Sequence, residues 1–136
     1  LLMYPPETVV AEKFEAMIRF GEANGRAKDF YDMWVASRTF PFDLAELVAA
    51  VSGTLGRRET PIPREMPVGL TVAFAENADA LARWTGFLRR NPPTLAPPSF
   101  DDLLAELRSF FGQVIAGMGA PEAARGTWDP DRGAWG

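Results

Sequence analysis

The stretch PPETVVAEKFEAMIRFGEANGRAKDFYDMWVAS, residues 5–37, decides the fold. Pro5 and Pro6 suit the entry to a helix, because proline has no N–H to leave unsatisfied and its φ is already helical. A helix is therefore predicted over residues 7–23, and Asn24-Gly25 supplies its stop, since both residues tolerate the left-handed turn that closes a helix. A second helix, over residues 26–37, restarts almost at once. Helices joined by so short a connection fold back on one another, which predicts an αα-hairpin.

On a helical wheel of about 100° per residue, Val9, Val10, Phe14, Met17, Ile18 and Phe20 share one broad apolar arc. Glu12, Glu15, Arg19 and Glu22 lie opposite. Lys13 falls inside the apolar arc, where an ammonium must find a partner or snorkel to water. The second helix offers partners: Arg26, Asp29 and Asp32 recur at i, i+3 and i+6, with Phe30, Met33 and Trp34 packing alongside. Asp29 borders the apolar side, so the hairpin should bring the Lys13 amine against its carboxylate, hydrated at the mouth of a cleft. Spacing leaves two chemistries open. One is a salt bridge that fixes the hairpin's register, since ion-pair networks are common structural devices. The other is a lysine with one or two carboxylates lining a pocket for nucleotide phosphates and Mg²⁺, where the protein supplies position and charge rather than covalent chemistry.

Outward from the hairpin, Pro41 breaks the chain and Asp43 reads as the N-cap of a third helix over 44–55. Residues 56–71 hold Gly56, Pro61, Pro63, Pro67 and Gly69 and read as a loop. A fourth helix is predicted over 72–90, with Phe74, Ala78, Leu81, Trp84 and Leu88 at helical spacing, and Asn91-Pro92-Pro93 ends it. Ser99, three residues before Asp102, caps a fifth helix over 100–118 that carries Leu103, Leu104, Leu107, Phe110, Phe111 and Val114. The expectation is an all-α class of about five helices. Val68 to Ala73 is the only weak strand candidate. A helical domain over 1–118 is thus followed by a tail, 119–136, without periodicity. Its Trp128 and Trp135 either lie over the helices and finish the core or form a patch for a partner.

A chain of 136 residues, 47 % hydrophobic and 24 % charged, can bury one core. Its net charge of -4 is unlike the strongly basic surface of most nucleic-acid binders, although a local basic pocket remains compatible with it. Cysteine and histidine are both absent. That excludes disulfides, zinc sites built on these residues, thiol nucleophiles and a Ser-His-Asp triad, and it suits a reducing cytoplasm. The apolar stretches fall far short of the roughly 20 residues that span a bilayer. Leu1-Leu-Met-Tyr-Pro-Pro lacks the charged start of a signal peptide and reads like the middle of a chain.

The string Tyr-Pro-Pro-Glu-Thr-Val-Val-Ala-Glu-Lys-Phe-Glu-Ala-Met (residues 4–17), followed by Arg-Ala-Lys-Asp-Phe-Tyr-Asp-Met (residues 26–33), resembles the second half of AbiEii/AbiGii-type nucleotidyltransferase toxins. The resemblance continues through Arg-Arg-x-Thr-Pro-Ile-Pro (57–63), Trp-x-x-Phe-Leu-Arg-Arg (84–90) and Trp-Asp-Pro-x-x-Gly-x-Trp (128–135). It implies the helical C-terminal part of a protein whose α/β core lies upstream. It also implies transfer of a nucleotide from an NTP, with Mg²⁺, to an RNA or protein acceptor, usually under control of an antitoxin protein. Lys13 then corresponds to an active-site lysine and Asp29 to a late acidic residue, both catalytic, with Arg26 and Asp32 flanking Lys13 in nucleotide binding.

The resemblance has one gap. The family's Gly-Gly/Ser turn, followed by a paired-acid metal site on a strand, has no counterpart in these 136 residues; neither Gly53-Thr54 nor Asp129-Pro-Asp131 supplies it. The expectation is half of an active site, inactive alone, with the metal carboxylates upstream of Leu1. The alternative is a helical interaction module that binds an antitoxin-like partner or a second copy without catalysis.

Overall fold

Helix α1 (Pro6–Phe20) opens with Pro6 in its first turn and closes at Gly21, whose φ of 55° lets its N–H return to the Met17 carbonyl. The computed structural model describes residues 4–21 and 27–136. The predicted Asn24-Gly25 stop therefore lies outside the described residues, as does the predicted end of the first helix. Helix α2 is Ala27–Thr39, α3 Leu44–Arg57, α4 Val72–Ala75, α5 Ala78–Arg90 and α6 Phe100–Gly119. The protein is mainly helical, the predicted class.

The polar residues flanking the apolar runs set the starts. Asp43 accepts from the Glu46 N–H at 3.0 Å and Ser99 from the Asp102 N–H at 3.1 Å, so both predicted caps form. The predicted fourth helix is instead two, because Thr71 caps α4 and Asn77, accepting from the Ala80 N–H at 2.9 Å, starts α5 afresh. A capping side chain there competes with the continuous helix that the apolar spacing suggests.

Helix α1 packs on both α2 and α3, and α6 packs on α2, α3 and α4. Phe100, Leu103, Leu104, Leu107, Phe110, Phe111, Val114 and Met118 of α6 are all buried. Phe14 of α1 stacks on Phe111 with centroids 4.4 Å apart, joining α1 to α6. Gly117 lets α6 approach α3: a Cβ there would stand 2.6 Å from the Val48 side chain.

A small three-stranded sheet accompanies the helices, in segments where the sequence offers no strand signal. Strand β1 (Phe42–Asp43) pairs antiparallel with β2 (Thr127–Asp129), which pairs antiparallel with β3 (Ala134–Trp135). Val68–Leu70, in the one stretch suspected of strand character, is a 3-10 turn. Segments of two or three residues cannot display an alternating pattern, and β1 meets its partner from the far end of the chain. Trp128, 2 % exposed, donates its indole N–H to the Ser37 carbonyl at 2.6 Å and stands edge-on to Phe110 at 4.8 Å. Trp135 donates to the Phe110 carbonyl at 3.0 Å. Both tryptophans thus lie over the helices.

Trp128→Ala would open a cavity over Phe110 and free a buried carbonyl, at a cost of about 3–5 kcal/mol. Urea unfolding should show a matching drop in midpoint; a loss below about 1 kcal/mol would mean the tail adds little to the core.

Candidate functional site

The hairpin lays α1 against α2 with Lys13 facing the acidic side of the second helix. Lys13 Nζ donates to Asp29 Oδ1 at 2.9 Å and lies 3.1 Å from Asp32 Oδ2. Lys28, one turn before Asp32, reaches the same Oδ2 at 2.6 Å. Asp29 and Asp32 are three apart on α2, so one face of the helix presents both. Arg26 lies outside the described residues. The predicted meeting of Lys13 with Asp29 is therefore present, but its hydration is uneven. The Asp29 side chain is 6 % exposed, against 20 % for Lys13 and 26 % for Asp32.

Burial by itself would pull the Lys13 pKa down; hydrogen bonds to Asp29 and Asp32, with their charge, outweigh it and hold the ammonium above its ordinary value. The lysine is thus a permanent cation at neutral pH. Among the described residues, no group of three or more acidic side chains converges as a metal site would require. Asp29 and Asp32 converge on the ammonium instead, so the described residues do not assemble a Mg²⁺ centre.

On its other side Lys13 lines a cleft of about 500 Å³ shared with Tyr4, Thr8, Glu12, Arg19 and Arg58. Glu15 forms its base. The wheel sets Glu15 with the residues opposite the apolar arc, yet its side chain is buried. Arg19, one turn on, grips both its oxygens at 2.9 and 3.1 Å, and the Thr60 hydroxyl donates to it at 2.7 Å. Arg58 Nε stands 3.6 Å away. The segment expected to be a plain loop is what covers it.

That segment begins with a tight closure of α3. The Thr60 N–H returns to Leu55 O at 2.9 Å and the Glu59 N–H to Gly56 O at 3.2 Å, the crossed pair of a Schellman turn. Such a turn needs a left-handed residue, usually glycine; here Glu59 takes it, with φ 56°. The strain, on the order of 1 kcal/mol, aims Thr60 at Glu15 and sets Arg58 at the cleft. Two signals for this network stood in the sequence, the i,i+4 pair Glu15–Arg19 and the Arg-Arg-x-Thr string, but neither reveals which helix the string meets.

A family model, nucleotidyl transferase AbiEii toxin of the type IV TA system, matches residues 1–106. The chain belongs to the AbiEii toxin family. No curated protein and no solved structure matches it. The matched span takes in the hairpin, the 57–63 segment and α5, whereas the tail string at 128–135 lies beyond it. No helix among the described residues of this AbiEii-family chain is long and apolar enough to cross a membrane.

Lys13→Ala should destabilise the AbiEii-family chain by about 1–3 kcal/mol in urea unfolding. That lies above an exposed pair, because Asp29 is nearly sealed, and below a fully buried one, because Lys13 and Asp32 reach solvent.

A second expectation concerns acid. Hydrogen bonds from Arg19 hold the Glu15 carboxyl below its ordinary 4.5, against the opposing effect of burial; Thr60 and the charges of Arg19 and Arg58 add to the lowering. A depressed folded pKa gives stability that is present above the unfolded value and lost as pH falls through the folded one. Unfolding free energy measured on the acid side of 4.5 should therefore fall more steeply for the wild type than for Glu15→Gln. Equal slopes would remove Glu15 from the network.

Proposed function

We propose that this chain supplies the Lys13 and Asp29 part of a nucleotidyltransferase active site and is inactive alone. Membership of the AbiEii family supports the reaction class. The observation that carries the assignment of residues is the Lys13 ammonium, held by Asp29 and Asp32 on one side and lining a cleft on the other. A fixed cation of this kind suits the triphosphate of an NTP, whose transfer demands charge stabilisation and alignment more than covalent help. In this reading Lys13 contacts phosphate oxygens and Asp29 orients it. Asp32, shared with Lys28, flanks Lys13 in nucleotide binding, together with Arg26.

The same reading assigns Mg²⁺ to carboxylates outside these residues, on the Gly-Ser…Asp-x-Asp segment that the 136 residues do not include. The complete toxin would use NTP with Mg²⁺, an RNA acceptor and an antitoxin protein partner, in the cytoplasm.

Labelled NTPs, Mg²⁺ and RNA test the proposal. The 136-residue chain should label nothing above background, and robust transfer by it would refute the half-site. A form joined to its upstream Gly-Ser…Asp-x-Asp segment should transfer nucleotide. In that form Lys13→Ala should lower the rate about 100-fold or more; near-normal transfer would reduce Lys13 to a structural ion pair.

A further inference from the structure

The wall of the cleft facing Lys13 carries charge that the proposed reaction has not used. Arg58 comes from the end of α3 and reaches across to α1, where Nη2 and Nε lie 3.0 and 3.2 Å from Glu12 Oε2. Both bonds thus fall on one carboxylate oxygen. A guanidinium fork fits two separate oxygens better, as phosphate or a bidentate carboxylate offers them. The pair is also open to water, with side chains 50 % and 38 % exposed, and an exposed pair of this sort contributes little to stability. Arg58 is therefore held weakly by Glu12.

Arg19 is held differently. Its guanidinium is spent on both oxygens of Glu15, and it lies over the Phe20 ring at 4.6 Å. Glu15 is sealed, so it cannot follow a ligand or leave. It remains 3.6 Å from Arg58 Nε, a second carboxylate beside a guanidinium that lines the cleft.

We propose that this cleft seats a polyphosphate chain between Lys13 and Arg58, and that Glu12 is a resident carboxylate which incoming phosphate displaces. Under the reading of the chain as part of a nucleotidyltransferase, on which the ligand's identity rests, that chain is the triphosphate of the nucleotide. Among the residues lining the cleft, the cations Lys13, Arg19 and Arg58 outnumber the carboxylates Glu12 and Glu15, with Asp29 and Asp32 behind Lys13. Thr8 belongs to the same lining. About 500 Å³ is a volume typical of small-molecule sites. Glu15 is a positioning residue here, because it acts on the ligand only through Arg58 and Arg19.

Inorganic tripolyphosphate, titrated into the 136-residue chain at low salt and followed by calorimetry, separates the possibilities. Arg58→Ala and Lys13→Ala should each weaken binding about tenfold, with Arg58→Lys recovering part of the loss. Arg57→Ala, whose guanidinium is occupied by the Thr54 hydroxyl, should bind as the wild type does. Glu12→Gln should bind about threefold more tightly, and the exposed Glu122→Gln should not. A merely structural Glu12–Arg58 bridge would leave Glu12→Gln unchanged or weaker, which overturns the proposal even if Arg58→Ala fails to fold. Equal losses in Arg57→Ala and Arg58→Ala overturn it too, since they report net charge alone. The two proposals can fail separately. Arg58-dependent binding with undiminished transfer by the Lys13→Ala toxin leaves the seat and removes the catalytic assignment. Transfer lost in Lys13→Ala, with tripolyphosphate indifferent to Arg58, does the reverse.

Discussion

A charge taken out of water must be met by partners, and helix α1 carries two such charges on opposite flanks. Lys13 faces α2 and finds Asp29 and Asp32; Glu15 faces the end of α3 and finds Arg19, Thr60 and Arg58. Shifting α1 by one residue against either neighbour would leave a desolvated charge unanswered, a penalty larger than most single packing changes. Apolar side chains would tolerate several registers of the same three helices. The charges select one. The register that satisfies them is also the one that forms the cleft beside Lys13.

Beneath this frame the protein is an aromatic stack built on α6. Phe111 receives Phe14 from α1, Phe110 receives Phe42, Trp128 and Trp135, and Phe100 receives Phe30, Phe74 and Trp84. One helix therefore touches nearly every other element through rings, whose large buried area dominates core energetics. Lys13 and Glu15 flank Phe14, the residue of α1 that joins this stack, so the same ring contact that fixes α1 against α6 also sets the direction of both charges.

The polar half of the molecule is also held in place by long-range bonds. Tyr31, inside the Asp-Phe-Tyr-Asp segment, uses its hydroxyl both to donate to the Leu95 carbonyl and to accept from the Leu95 N–H, pinning the proline-rich strap onto α2. Trp34 and Arg38 both bind Glu106 of α6. The helix that presents Asp29 and Asp32 is thus fixed from behind. Electrostatic help to a reacting phosphate depends on such fixity, because a dipole or charge that must reorganise during reaction gives back much of what it supplies.

The helices and the Lys13–Asp29 meeting were legible in the sequence because both are local. A 3.6-residue period, a proline at a helix start, Asp43 and Ser99 as caps, and a lysine among valines and phenylalanines are each read within one or two turns. Asn77 is hidden in the sequence, since the apolar spacing runs straight through this capping residue. Glu15 shows the other limit. Its place on the wheel marks it as solvated, and only the return of residues 58–60 over α1 buries it. The tail's strands have the same character: two or three residues carry no period, and the pairing of Thr127 and Trp128 with Asp43 and Phe42 joins segments far apart in the chain. The sequence by itself determined which segments become helices and which charge on the first of them would need a partner. Tertiary structure decided which polar residues leave water and which wall faces Lys13, because burial is a property of the elements that arrive from elsewhere in the chain.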